Sequence, residues 1–348
     1  MSMTPPESIY LFSFGQSPEC LSDPVGSGVL GSAVAHTFLG LSEWRVRGIS
    51  RNKSSEASQT LIAKGVEIIE ADLDNKESLI PAFEGAHVIF SNTDFFGHLF
   101  AAMVSNNASS SRTPNEIAYD LEVQQGVNIA EVAASPAVMK TLERFVLSSL
   151  CDARKASGGK YTTIYHFDTK SEMSRVIQSR FPKLAALMSS VLMGHYVTNW
   201  KAFPAMAPIK QPDGGFVISR PVPADQMYPF VVAHRDTGAF VKALVDAPPG
   251  LNLMGASQFM TWPEWTKTWG DVLGVKAEFK TVPAEEFVEG VPKPLAQELS
   301  DTYLYLEEFG FDGGDSSVVA PEQLTFTVPL TTNKEYIESE NWSSVLES

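Results

Sequence analysis

Cysteine is scarce in this chain: among 348 residues only Cys20 and Cys151 carry a thiol. Two thiols without CxxC spacing, beside six histidines, supply neither a zinc or iron–sulfur ligand set nor a disulfide framework. Basic charge is short as well. Lys plus Arg number 26 against 41 Asp plus Glu, a formal charge of −15. So acidic a surface repels phosphate backbones and anionic headgroups, which argues against nucleic-acid and membrane-surface partners. No apolar run reaches membrane-spanning length, and the opening MSMTPPESIYLFSFG lacks the basic and apolar regions of a secretory signal. The expectation is a soluble, cytoplasmic protein with reduced cysteines, in which the N-x-[ST] matches at Asn52, Asn107 and Asn341 are chance. Gly-x-Ser-x-Gly and other hydrolase spacings are missing, as are repeats and low-complexity tracts.

What is present is material for a core: 44% hydrophobic residues against 19% charged, enough for one large α/β domain or two modest ones. Short apolar runs alternate with helical patterns through the first half. Strands are predicted at Ile9–Phe14, Arg45–Ser50, Val66–Ala71, His87–Ser91 and Arg144–Leu150. Helices are predicted over residues 28–40, 56–64, 76–83 and about 115–134. Spacings of roughly 20–30 residues between strands match right-handed βαβ units. The fold class is therefore α/β, a doubly wound Rossmann-type parallel sheet with a smaller C-terminal substrate-binding region. Residues 1–199 are read as the nucleotide-binding core and 200–348 as a substrate-binding region partly interwoven with it. In the second half Ala185–Met193 is predicted as a sixth strand and residues 200–230 as loops wrapping a pocket. Helices are expected at Asp236–Asp246, with Asp236 as a cap, and at Trp262–Leu273. Beyond these the C-terminus reads as Pro-rich loops with an acidic end. Ser105–Ser111 reads as a surface loop or a lid.

Gly26-Ser27-Gly28-Val29-Leu30-Gly31 satisfies G-x-G-x-x-G and leads into a helix. Glycines serve there because the backbone must turn tightly and approach a pyrophosphate, which then sits on a helix N-terminus. About 20 residues past Gly31 the second strand ends in Arg51, not in the acidic residue that would hold a ribose 2′-hydroxyl. A cation there favours a 2′-phosphate and hence NADP over NAD; otherwise Arg51 is a solvated turn residue.

Together with these pieces, GVEIIEADLDNKESLIPAFEGAHVIFSNTDFF, ERFVLSSL, YHFDTKSEM, GHYVTNW, HRDTGAFVKAL and VPLTTNKEYIESENWS follow in an order that resembles the NmrA-like family. These are atypical short-chain dehydrogenase/reductase relatives that include isoflavone-reductase-like enzymes. The resemblance spans nearly the whole chain. It implies a Rossmann core that binds NADP(H), adenine contacts from Asp72 and Leu73, nicotinamide-side contacts at Asn92, Thr93 and Asp94, and a functional Lys170. One departure stands out. The first strand of the family runs directly into its glycine turn, whereas here Gln16–Val25 separates Gly15 from Gly26. Either Gly15 supplies the first, cofactor-binding glycine of the turn with ten residues inserted after it, or Val25 replaces that glycine; the segment is expected to bulge outward and to weaken cofactor binding.

His166 and Lys170 lie four apart and share a face if this stretch is helical. Short-chain dehydrogenases use Tyr-x-x-x-Lys here. In this sequence His166 takes the tyrosine's position, with Tyr165 one residue earlier and Tyr161 one turn back. The proton donor is then His166, Tyr165 or Tyr161, while Lys170 holds ribose hydroxyls and polarises a carbonyl. The alternative for Lys170 is a surface pair with Asp168 or Glu172. Ser148 and Ser149 end the fifth strand, where open sheets place ligand-contacting groups; they orient ribose or substrate, or only cap a turn. Asn199 in GHYVTNW resembles a family position facing the pocket, with Tyr196 nearby as a further substrate candidate, and Cys151 is a redox sensor or an inert buried thiol. No metal constellation exists in the sequence. Three functions remain open: an NADPH-dependent oxidoreductase reducing a small aromatic or polyketide-like carbonyl or conjugated alkene, an NADP(H)-sensing regulator with a protein partner, or a non-redox isomerase or cyclase.

Overall fold

The computed structural model describes residues 7–11, 27–105 and 111–347. An eight-stranded parallel sheet is its frame. The strands are β1 (Glu7–Leu11), β2 (Trp44–Ser50), β3 (Glu67–Glu70), β4 (Val88–Ser91), β5 (Arg144–Ser149), β6 (Met188–Met193), β7 (Asn252–Gly255) and β8 (Val318–Val319). They lie in the order β8-β7-β6-β5-β4-β1-β2-β3. Strand order reverses between β1 and β4, which makes that edge the topological switch point where such sheets bind ligands.

Burial on both faces accounts for the apolar run of the central strands. Val88, Phe90 and Val146 point to one side, against α1 (Ser27–Leu39) and α7 (Ala233–Asp246). Ile89, Phe145 and Leu147 point to the other, against α3 (Lys76–Phe83), α5 (Pro114–Ala133) and α6 (Tyr165–Arg180). Helix α5 starts where Thr113 and Glu116 form a capping box ahead of Pro114. Helix α7 seats on α1 because Gly238 has no side chain. A Cβ there would fall 2.0 Å from Oγ1 of Thr37 and 2.7 Å from the carbonyl of Ala33. The remaining longer helices are α2 (Glu56–Ala63), α4 (Phe95–Ser105), α8 (Trp262–Leu273), α9 (Lys293–Phe309) and α10 (Asn333–Ser339).

The predicted first-half strands and helices are present, most with ends shifted by a residue or two. Residues 12–14 of the first predicted strand, Gly15, Gly26, the Gln16–Val25 segment and positions 106–110 of the candidate lid lie outside the described residues. Four expectations need correction. The C-terminus is not a run of loops: it contains α9 and α10. Residues 200–230 hold the strands Phe216–Arg220 and Met227–Val231, each part of a small three-stranded sheet. Pro182 starts a helical turn ending at Ala185, so β6 begins only at Met188. Asp236 does not cap α7, whose N-cap is Val232. Its carboxylate instead accepts hydrogen bonds from Ser257 Oγ (2.5 Å) and from Thr331 N and Oγ1 (3.0 and 2.7 Å), tying the C-terminal segment to α7.

Candidate active site

The carboxyl ends of β4 and β5, the first turn of α1 and one face of α6 border a cleft with about 1060 Å³ of empty space, its open mouth included. Asn92, Thr93 and Asp94 follow β4 into its wall, Ser148 and Ser149 end β5 there, and Leu30 reaches it from α1. His166 and Lys170 present their side chains from α6, one turn apart. Tyr196 and Asn199 complete the set of sequence-predicted residues that the cleft gathers. Among the described residues no group of His, Cys, Asp and Glu is arranged to hold a metal ion, and no helix is long and apolar enough to cross a membrane.

Lys170 pairs with neither of the acids on its own helix. Asp168 bonds Arg154 (3.3 Å) and Glu172 bonds Arg175 (2.5 Å). Lys170 Nζ lies instead 2.7 Å from Oε1 of Glu122 on α5, and donates to the carbonyl oxygen (2.6 Å) and hydroxyl (2.7 Å) of Thr93. An ammonium has three N–H groups, and these three contacts take them all. Glu122 is fully buried and also accepts hydrogen bonds from Thr93 and Thr169. Burial drives its carboxyl upward, but the Lys170 charge and the hydrogen bonds from Lys170, Thr169 and Thr93 outweigh it and hold the group below its ordinary value. Two helices must approach closely for this. Gly126, one turn past Glu122, permits it: a Cβ at that position would lie 2.1 Å from Sδ of Met173.

His166 has a partner that the sequence reading missed. Its Nδ1 is 2.6 Å and its backbone N–H 2.9 Å from Oε1 of Glu298, a fully buried carboxylate on α9. Asn115 Nδ2 donates to the other oxygen at 3.0 Å. The carboxylate selects the Nδ1–H tautomer, which leaves Nε2 as the ring's remaining nitrogen for the cleft.

The two tyrosines stand apart from this site. Tyr161 Oη donates to Glu308 at 2.6 Å, and Tyr165 meets Tyr119 edge-on at 6.1 Å between ring centroids. Neither lines the cleft. Cys151 is buried with Sγ 3.1 Å from the Tyr305 hydroxyl, and burial pushes its thiol up to about 12, so it is no poised redox sensor. Arg51 is exposed at the end of β2, and Asp72 and Leu73 follow β3; all three lie outside the cleft wall. The carbonyl of Leu73 is held by Asn128 Nδ2 at 2.8 Å.

A signal for Glu122 existed in the sequence: it shares a helical stripe with Ala118 and Ile129, and a carboxylate on an apolar stripe needs a buried partner. Glu298 was legible in the same way. Leu295, Leu299, Thr302 and Leu306 repeat at helical spacing around it and are all buried.

The NmrA-like family model matches residues 25–337. The NmrA-like family domain-containing oxidoreductase hkm9 of Aspergillus hancockii is 27% identical over 293 residues, 80% of this chain and 78% of that protein. Among solved structures, NmrA, a negative transcriptional regulator in complex with NADP, aligns with a TM-score of 0.64 at 15% identity, covering 96% of this chain and 95% of its own. Citrobacter sp. triphenylmethane reductase complexed with NADP(H) aligns with a TM-score of 0.61 at 17% identity, covering 95% and 99%. At such identities the structures speak for a shared fold.

Proposed function

The chain belongs to the NmrA-like family, and from that membership and the make-up of the cleft we propose that it is an NADP(H)-dependent oxidoreductase. Its substrate is a small, aromatic or polyketide-like carbonyl or conjugated alkene. One observation carries the reading: the α1 turn, the β4 and β5 ends and the His166–Lys170 face converge on a single cleft with largely apolar, aromatic walls. The name of the Aspergillus relative supports the oxidoreductase class, and the NADP complexes of the structural neighbours support the cofactor.

The chain's residues fit NADP(H). Ser27, Gly28, Val29, Leu30 and Gly31 form the opening of α1, whose first N–H groups have no partner within the helix and so suit a pyrophosphate. Arg51 is exposed and makes no hydrogen bond or ion pair among the described residues, so it is open to a 2′-phosphate. Asp72 and Leu73 are assigned to the adenine side, and Asn92, Thr93, Asp94 and Ser148 to the nicotinamide side. When bound, the cofactor supplies the hydride.

The chain itself handles the proton. His166 delivers it from Nε2, which requires the doubly protonated ring, and Glu298 at 2.6 Å is the counter-charge that ring needs. Ser149, Tyr196 and Asn199 orient the substrate. Lys170 fixes the Thr93 corner through its three contacts and reaches ribose only by exchanging one of them. That saturation, with both tyrosines turned away, favours a second reading, a sensor of NADP redox state without turnover.

The test is NADPH consumption at 340 nm with menadione, 2-naphthaldehyde and chalcone as probes. Turnover should appear with at least one of them. His166→Phe should abolish it, with circular dichroism and NADPH binding unchanged. Binding without consumption of NADPH across the panel hands the case to the sensor reading, and absence of binding removes both.

A further inference from the structure

Beside the cleft lies a buried positive charge that no carboxylate among the described residues answers. Arg220 is 3% exposed and forms no ion pair among the described residues. Its guanidinium lies over the Trp262 ring at 4.3 Å and 5.9 Å from the ring of Phe287, with Nη1 and Nη2 donating to the carbonyls of Ser219 and Met206 at 2.6 Å. Its Nε–H has no partner among the described residues. Cation–π contact and two carbonyls offset part of the desolvation cost, yet an uncompensated buried cation still calls for an anion.

Two buried phenols flank the same rings. Tyr303 meets Phe287 at 5.1 Å, and Tyr228 meets Trp262 at 6.0 Å and Phe311 at 5.5 Å. Both hydroxyls lack a hydrogen-bond partner among the described residues, although the residues are 3% and 1% exposed. Burial pushes both phenols up, so they stay neutral donors and cannot neutralise Arg220. Tyr303 lines the cleft, and so does Phe311. Arg220 lines a smaller adjoining cavity that shares His195, Tyr196 and Met206 with it. Native proteins rarely leave so many buried donors unmet unless a ligand or water meets them.

We propose that the Tyr303 wall of the cleft, next to the Arg220 cavity, binds an anionic oxygen group of the substrate, a carboxylate or an ionised enol, with the Tyr303 hydroxyl donating to it and Arg220 supplying the charge. The inference rests on the reading of this cleft as a small-molecule site. The Phe95, Phe96 and Phe203 walls take the ring-bearing remainder of the molecule.

The experiment titrates the full chain with 2-naphthoate and with its neutral isostere 2-naphthamide, by calorimetry, with and without saturating NADPH. Naphthoate should bind at least ten-fold more tightly than the amide. Tyr303→Phe removes a hydroxyl that has no intramolecular partner, so its melting temperature without ligand should equal or exceed the parent's. The same variant should weaken naphthoate about five- to ten-fold and leave the amide unchanged. Arg220→Lys is a second variant, expected to weaken naphthoate more than the amide. Equal affinity for the two probes, binding of neither, or equal losses of both in Tyr303→Phe would overturn the inference. A separate NADPH titration keeps the two readings distinct: naphthoate selectivity without NADPH binding would retain the subsite and remove the oxidoreductase.

Discussion

Nζ of Lys170 lies 2.7 Å from Oε1 of Glu122, a contact between α6 and α5 sealed from solvent on the carboxylate side. Thr93 closes the triangle, since its hydroxyl accepts from Lys170 and donates to Glu122 at 2.7 Å. The three groups bind the end of β4 to two helices, and so fix the edge of the cleft proposed above to face the nicotinamide. The lysine that the family resemblance implies to be functional is thereby a keystone of the site's geometry.

Glu122→Gln should lower stability by about 3 kcal/mol at neutral pH, because it leaves the Lys170 charge buried without its partner. The pH dependence follows from the depressed carboxyl of Glu122. A carboxyl lowered on folding contributes stability above its unfolded value and loses it as pH falls through the folded one. The gap between parent and variant should therefore close on acidification below roughly pH 4. Denaturant melts from pH 7 down to 3 measure this, and a gap that stays constant across the range would refute the ion pair's role.

Arg51→Ala should weaken NADPH binding while barely touching NADH. Losing a charge-assisted contact to phosphate costs roughly 1.5–3 kcal/mol, about ten-fold or more in affinity. Calorimetric titration of both dinucleotides decides it. Equal affinity for NADPH and NADH in the parent chain would make Arg51 the solvated turn residue of the alternative reading.

His195 supplies a second acid sensitivity. Burial first, then the charge of Arg220, pulls its imidazole from 6.5 down to about 3. Between these values the unfolded chain takes up a proton that the folded chain refuses, so stability falls as pH drops through that window. His195→Gln should flatten the stability profile between about pH 6.5 and 4 relative to the parent. An unchanged slope would mean that the ring is protonated in the folded state.

The sheet was legible because its strands are buried on both faces and carry unbroken apolar runs at their centres, such as Val88–Phe90 in β4 and Phe145–Leu147 in β5. Candidate site residues at strand ends were legible for the same reason: locating the strand locates its carboxyl edge. Helix α4 was not, because FFGHLFAAMVS is apolar nearly all round and shows no clear stripe. Glu298 is hidden with its helix, because Pro292 and Pro294 at its start give the sequence the look of a Pro-rich loop. In fact Pro294 sits in the first turn of α9, where the missing N–H costs nothing. The partners of His166 and Lys170 come from 132 and 48 residues away along the chain, a separation that local pattern does not encode.

Gly126→Ala tests the close approach on which the Lys170 contact depends. Two effects oppose each other. In an open helix alanine would gain up to about 1 kcal/mol over glycine. Here the new methyl would sit 2.1 Å from Sδ and 2.3 Å from Cγ of Met173, a side chain only 2% exposed. Overpacking of a closed core costs typically 1–3 kcal/mol, so the net effect should be a loss of about 1–2 kcal/mol. Methionine is flexible and moves aside more cheaply than a branched side chain, but its Cβ at 3.3 Å limits the escape. The double-mutant cycle separates the two terms. In a Met173→Ala background the obstruction is gone and Gly126→Ala should change sign, stabilising by a few tenths of a kcal/mol up to about 1. Urea melts of the four proteins measure it. If Gly126→Ala costs the same in both backgrounds, Met173 is not what the glycine accommodates, and the approach of α5 to α6 needs another explanation.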